Sequence, residues 1–287
     1  MAIPMHNTAG ARELVFEPEY LALFSHLLST HPPGGEGACF LHLLDPASAP
    51  PALLEEDSVG GLPRLGCCAE VKAIRQLAGG RLEVEYAGTR RARVMMLHQE
   101  HPFMVAAAEW VDDWGISEAE TPLEDLERQL MGTLQQVSRL TALLRPPGAP
   151  LQLLPEAVQR YSPPAPQRLT SYDALVAARH PAATAIDMWR RQGSVYDKPS
   201  RQEQHQRARA SDPYQGVREQ LGKQRRRELF SFAAAQMLEL GLPQRLALLL
   251  TQDTGARLQY VLAAVRPHLQ ELAARAALKA ATEEAGL

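Results

Sequence analysis

"GCCAEVKAIRQLAGGRLEVEYAGTRRARVMML", residues 66–97, decides the fold. At its centre Gly79-Gly80 can adopt the positive φ that a tight hairpin turn requires. After the turn, Leu82, Val84 and Tyr86 alternate with Arg81, Glu83 and Glu85, as in a strand with one buried face. Gly88 is expected to break this strand and "RRARVMMLH" (90–98) to resume it.

Working outward, "CFLHLL" (39–44) is a short apolar run ended by Asp45-Pro46, and "PFMVAAAEWV" (102–111) adds another strand. At the N-terminal side, "LVFEPEYLALF" (14–24) reads as a strand handing over to a helix. The residue before a proline is pushed to extended geometry, and Pro18 suits the first helical position. Leu21, Phe24, Leu27 and Leu28 then share one helical face, and Phe16 is expected to be buried in the turn. Six or seven short strands with tight turns predict a small closed or half-closed β-barrel.

Beyond residue 116 the period changes. Pro122 opens a helix whose Leu123, Leu126, Leu130, Leu134, Val137, Leu140 and Leu144 recur every three to four positions. Residues 145–168 are proline-rich, 169–196 predict short helices at Tyr172–Arg179 and Ala183–Arg191, and 197–222 read as polar and mobile. "RRRELFSFAAAQMLELG" (225–241) and "PQRLALLLTQ" (243–252) give two more helices. Asp253-Thr254 can cap a long last helix striped by Leu258, Val261, Leu262, Val265, Leu269 and Leu272, which Pro267 should kink.

The 287 residues leave room for about two domains. A net charge of −3 argues against a surface built wholly for nucleic acid or anionic membrane. No run approaches the roughly 20 apolar residues of a membrane span, and the start lacks a signal or transit pattern. Three cysteines suggest a reducing compartment.

Catalytic patterns fail one by one, and no cofactor or metal set is predicted. "GVREQLGKQ" (216–224) has five residues between glycines where a phosphate loop has four, and Gln224 stands where Ser or Thr would hold magnesium. "HQEH" (98–101) reads as a solvated turn, and Asp112-Asp113 with Glu118 and Glu120 as acids favourable to a helix N-terminus. Lys198 to Glu228 carries nine basic residues against four acidic, which nominates Arg225, Arg226 and Arg227 for phosphate or an acidic partner. Trp110 and Trp114 bracket the junction between strands and helices. Exposed, they would grip apolar segments; buried, they would close the barrel against the first helix. Strand alternation sends one of Met95 and Met96 outward, and an exposed methionine such as Met96 suits a permissive peptide site.

"IPMHN" (3–7), "LVFEPEYLALF", "FLHLLD", the 66–97 hairpin, "PFMVAAAEWVDD" and the later helices resemble, in this order, the Lon substrate-binding domain family. The likeness covers about residues 3–143 and 224–280. Three departures stand out: a first strand shortened to residues 2–13, Glu19 where the family usually has arginine, and an insert at 145–223. The resemblance implies an α+β protein with a PUA-like β-barrel (1–116), a first helix (117–144), a largely mobile insert (145–223) and a helical subdomain (224–287) with a long C-terminal helix. It further implies a non-catalytic module that recognises unfolded or partner proteins without ATP, as adaptor or assembly factor, with Met96, Trp110 and Trp114 as peptide contacts. RNA binding is the alternative, as is a regulatory subunit of a separate protease. "CFLHLLDP" looks most like stand-alone plastid members, so the expected location is the chloroplast stroma, otherwise the cytoplasm.

Overall fold

The computed structural model describes residues 11–31, 35, 37–114, 120–146, 154–164 and 212–284. β1 (Ala11–Val15) runs into α1 (Pro18–Thr30), with extended Glu17 before the helix and proline in its first turn, as the Glu-Pro pair demands. Phe24 and Leu27 face the core. Phe16 does not: it is 66% exposed, because it shares the outward parity of Leu14, and the expectation of a buried Phe16 is corrected.

β2 (Cys39–Leu43) is followed by a short 3-10 turn (Pro46–Ser48), α2 (Pro51–Glu56) and the two-residue pair β3 (Ser58–Val59) and β4 (Leu62–Pro63). β5 (Leu65–Gln76) and β6 (Leu82–Gln99) form the central hairpin, turned at Gly79 (φ 78°) and Gly80 (φ 74°). β7 is Val105–Val111. Gly88 does not break β6. The register steps from Cys68↔Arg90 to Ala69↔Gly88, so Thr89 bulges out and an 18-residue strand continues.

The main sheet is antiparallel in the order β1-β6-β5-β2, and β7 follows β1 along the same edge of β6. Among the described residues its hydrogen-bonded path is a bulged antiparallel sheet, and with the helices that follow it gives the α+β fold expected from the sequence. One core sits beneath it, where Phe24, Phe40 and Tyr86 meet edge to face at 5.3 and 5.2 Å.

The second core is helical. It joins α3 (Glu120–Leu144), α4 (Glu156–Tyr161), α5 (Gln215–Leu221), α6 (Lys223–Ala235), α7 (Leu242–Leu250) and α8 (Thr254–Glu284). α6 is buried on every side from Arg226 to Ala235. Asp253 caps α8 by accepting from the Ala256 N–H at 3.1 Å, and the helix runs unbroken through Pro267. The segment 145–223 was expected to be largely mobile. Of its described residues, Ala157, Val158 and Tyr161 belong to the helical core, whereas Gln215–Leu221 has no buried residue. The helices expected at Tyr172–Arg179 and Ala183–Arg191 lie outside the described residues. A third, smaller cluster of Leu44, Leu65, Val111, Leu246 and Leu249 joins sheet to helices. No described helix is long and apolar enough to cross a membrane.

Candidate functional site

Where β7 ends, the chain is held by charge. Asp112, exposed, receives two bonds from Arg90, at 3.0 and 2.5 Å, and this guanidinium holds its carboxyl below the ordinary carboxylate range. Asp113 points the other way, into the protein. Its carboxylate accepts from both Arg91 and Arg257, and the Thr254 hydroxyl donates to it as well. Arg91 also reaches Glu228 at 3.2 Å and the carbonyls of Leu249 and Thr251 at 2.9 and 2.8 Å. Arg257 donates through Nε to Ser231 Oγ at 3.0 Å. The Phe232 ring receives both guanidiniums, with the carbons at 5.5 and 4.5 Å from its centroid. Such a set tolerates burial only because each charge meets several partners.

Backbone bonds complete the anchor. Trp114 N–H donates to Gln252 O at 3.0 Å, Gln252 Nε2 to Asp112 O at 3.1 Å, and Gln224 Nε2 to Asp113 O at 3.0 Å. The base of β7 is therefore fixed to α6, to α8 and to the α7–α8 connection.

The other end of β7 extends past the end of β5. β5 pairs with β6 only as far as Arg93; beyond that residue β6 pairs with β7, while its Val94 N–H still donates to the Arg64 carbonyl at 2.8 Å and β3 packs against it. Val94 faces Ala108 and Met96 faces Ala107, so Met95 and Met96 together oppose one alanine. The β6–β7 hairpin exposes Met95, Met96, Met104 and Val105 toward its tip, and Trp110 nearer its base, where β5 still flanks β6. Phe103 near its tip stacks on His26 of α1 at 5.3 Å. The Arg90 guanidinium lies 4.8 Å from the Trp110 ring, leaving much of the indole in solvent. Exposed apolar patches of this kind mark interaction surfaces.

A family model for the ATP-dependent protease La (LON) substrate-binding domain matches residues 14–266. The chain belongs to this family. Among solved structures, the Lon domain is similar to a Lon N-terminal domain protein from Xanthomonas campestris, at 17% identity over 90% of each chain with a TM-score of 0.40. It is also similar to the N-terminal domain of the Mycobacterium avium complex Lon protease, at 14% identity over 81% of this chain and 92% of that one, TM-score 0.33. No curated protein matches the chain by sequence.

Within this Lon domain the residues singled out from sequence divide sharply. Met96, Trp110 and Trp114 are all exposed, at 53%, 55% and 67%. The tryptophans thus do not close the sheet against the first long helix. Met95 is exposed too, because the bulge overrides simple alternation. The three do not form one patch: the register puts Met96 with Ala107 and Trp110 with Ala92, on opposite faces of β7, and Trp114 lies beyond the strand.

The arginines nominated for phosphate are corrected. Arg226 and Arg227 are buried and paired to Glu127 of α3, at 2.7 and 2.8 Å. Arg225 is committed to Glu228 and to the Thr89 carbonyl. Asp113, expected to serve a helix end, is the acceptor at the centre of the anchor. Of the other acids read that way, Glu118 and the side chain of Glu120 lie outside the described residues. The buried Arg91–Asp113–Arg257–Glu228 set was not anticipated at all.

Proposed function

We propose that this domain captures polypeptide segments with exposed apolar residues, without catalysing a reaction on them. Family membership supports a substrate-binding role. The observation that carries the reading is the β6–β7 hairpin, which on a fixed base leaves apolar Met96 and Trp110 in solvent. Apolar burial needs neither ATP nor counterion release, so the complex should tolerate salt. In this reading the domain serves as a recognition or adaptor module for a separate machine. The nominated arginines already have carboxylate partners, which leaves those three little to offer RNA.

The test is a fluorescence titration of the whole chain with a reduced, carboxymethylated protein pool and with an RNA pool, each at low and high salt. Salt-tolerant binding of the unfolded protein, weakened about tenfold by Trp110→Ala at unchanged fold, is expected, since aromatic anchors dominate such interfaces. Salt-sensitive RNA binding with no affinity for unfolded protein would overturn it. Charge reversal at Arg226 or Arg227 is not a usable control, because it would break the buried pairs with Glu127.

A further inference from the structure

We infer that substrate adds to the β6–β7 hairpin as an extra β-strand along the outer edge of β7; this rests on the capture reading and names its mode. Among the described residues the main sheet has three edges, and only one is undefended. β1 carries Arg12 and Glu13, with Arg12 paired to Glu85 across the sheet at 3.4 Å. On β2, His42 is buried and Phe40 and Leu41 are half-buried. β7, "VAAAEWV", has a single charged residue, Glu109, and no proline, and five of its seven residues are exposed. Charges, prolines and edge bulges are what normally block a strand edge. The two bulges of this ladder add their extra residues, Met95 and His98, on β6, so the outer line of β7 stays regular.

Alternate residues of β7 aim N–H and C=O away from β6. None of these groups has a partner among the described residues. The chemistry that fits is complementary: an extended, centrally uncharged peptide with free amides. Main-chain bonds would supply affinity without regard to sequence. Trp110 on one face, and Met95 and Met96 on the other, would reward apolar side chains at alternate positions. The three alanines at 106–108 leave room for those side chains.

The probe is a short labelled peptide alternating leucine and threonine, capped at both ends, and a twin N-methylated at every internal amide. Fluorescence anisotropy with the whole chain should show the twin binding roughly a hundredfold more weakly, the loss of about three backbone bonds each worth a factor of about five. Equal affinity for both peptides would overturn strand addition while leaving capture intact. No binding of either would overturn the capture reading itself. A second arm uses Ala107→Pro and Ala108→Pro. Alternation guarantees that one of them has its N–H on the outer edge, and that variant should keep the wild-type melting midpoint and lose the unmethylated peptide. If it keeps the peptide, the inference fails. Sedimentation of the free chain closes the test. A monomer is expected, whereas a dimer dissolved by the same proline would assign the edge to a second copy and overturn the peptide proposal.

Discussion

Asp113→Ala is the perturbation from which the structure allows the most to be worked out. The Asp113 side chain is 1% exposed and sits against two guanidiniums that are equally buried. Removing it takes one carboxylate from Arg91, which keeps Glu228 and two carbonyls, and the only carboxylate from Arg257, which keeps Ser231 and the Thr251 carbonyl. Breaking a buried pair on one side costs about 3–5 kcal/mol, because the remaining charge stays desolvated. The upper half of that range is expected here, since Arg257 loses every charged partner. With an m-value of roughly 2 kcal/mol/M, the urea midpoint should fall by about 2 M. Far-UV circular dichroism during urea titration measures it. The quadruple replacement Arg91→Met, Asp113→Leu, Arg257→Met, Glu228→Gln removes all four buried charges of the set and should recover part of the loss, as apolar substitutes for buried ion sets often do. A midpoint for Asp113→Ala within about 0.5 kcal/mol of wild type, the range of ordinary surface changes, would refute the reasoning.

Phe24→Ala should cost about 3–5 kcal/mol, the usual range for truncating a core phenylalanine, whereas exposed Phe16→Ala should stay within about 0.5 kcal/mol; parallel denaturant curves decide it. Burial lowers the pKa of His42, with Glu13 opposing, so the folded chain binds that proton less readily than the unfolded one. The stability due to neutral His42 is therefore complete above the unfolded value of about 6.5 and lost as the pH falls below it; the drop in midpoint between neutral and mildly acid buffer should shrink in His42→Phe. Glu127→Gln should destabilise the helical core, because Arg226 and Arg227 share that carboxylate; near-UV circular dichroism and the urea midpoint would register it. Trp114→Ala should leave the midpoint nearly unchanged, since only its backbone N–H is engaged in the anchor, and should weaken peptide binding if capture extends past the end of β7.

Local chemistry made much of the fold legible. Pro18 starts α1 because proline loses nothing at a first turn, and Asp253 caps α8 because its carboxylate reaches the N–H of Ala256. The alternation of Leu82, Val84 and Tyr86 survives because β6 is covered on one face there. At Ala87–Gly88 and again at Arg91–Ala92 both faces are covered, so alternation ends, and Arg91 and Ala92 are buried side by side. A period reading has no means of placing an arginine inward. Arg226 and Arg227 were read as surface charge for a related reason: their acceptor, Glu127, lies about a hundred positions earlier in the chain, and pairing at that separation leaves no mark on either segment. Phe16 misled in the opposite direction, an aromatic on the outward parity of its strand. The exposed tryptophans were recognisable as candidates, but whether they faced solvent depended on where α7 and α8 came to rest.

The two unforeseen features belong together. A strand edge can take up a partner only if the strand holds its shape when unpaired, and a two-stranded ribbon is marginal in water. β7 avoids fraying because its last residue, Val111, is buried with Leu246 and Leu249, and the next two aspartates are locked to Arg90 and to the Arg91–Arg257 pair. The buried charges also resist repacking, since any shift of Asp113 strands two guanidiniums without their shared acceptor. Base and edge should therefore separate under mutation. Asp113→Asn should lower stability and peptide affinity together, because it loosens the strand's anchor. Ala108→Pro or Ala107→Pro, whichever leaves the β6 ladder intact, should lower affinity alone. Stability and binding measured on the same samples would distinguish them, and a binding loss in Asp113→Asn without any loss of stability would mean that Asp113 touches the peptide rather than holding the strand.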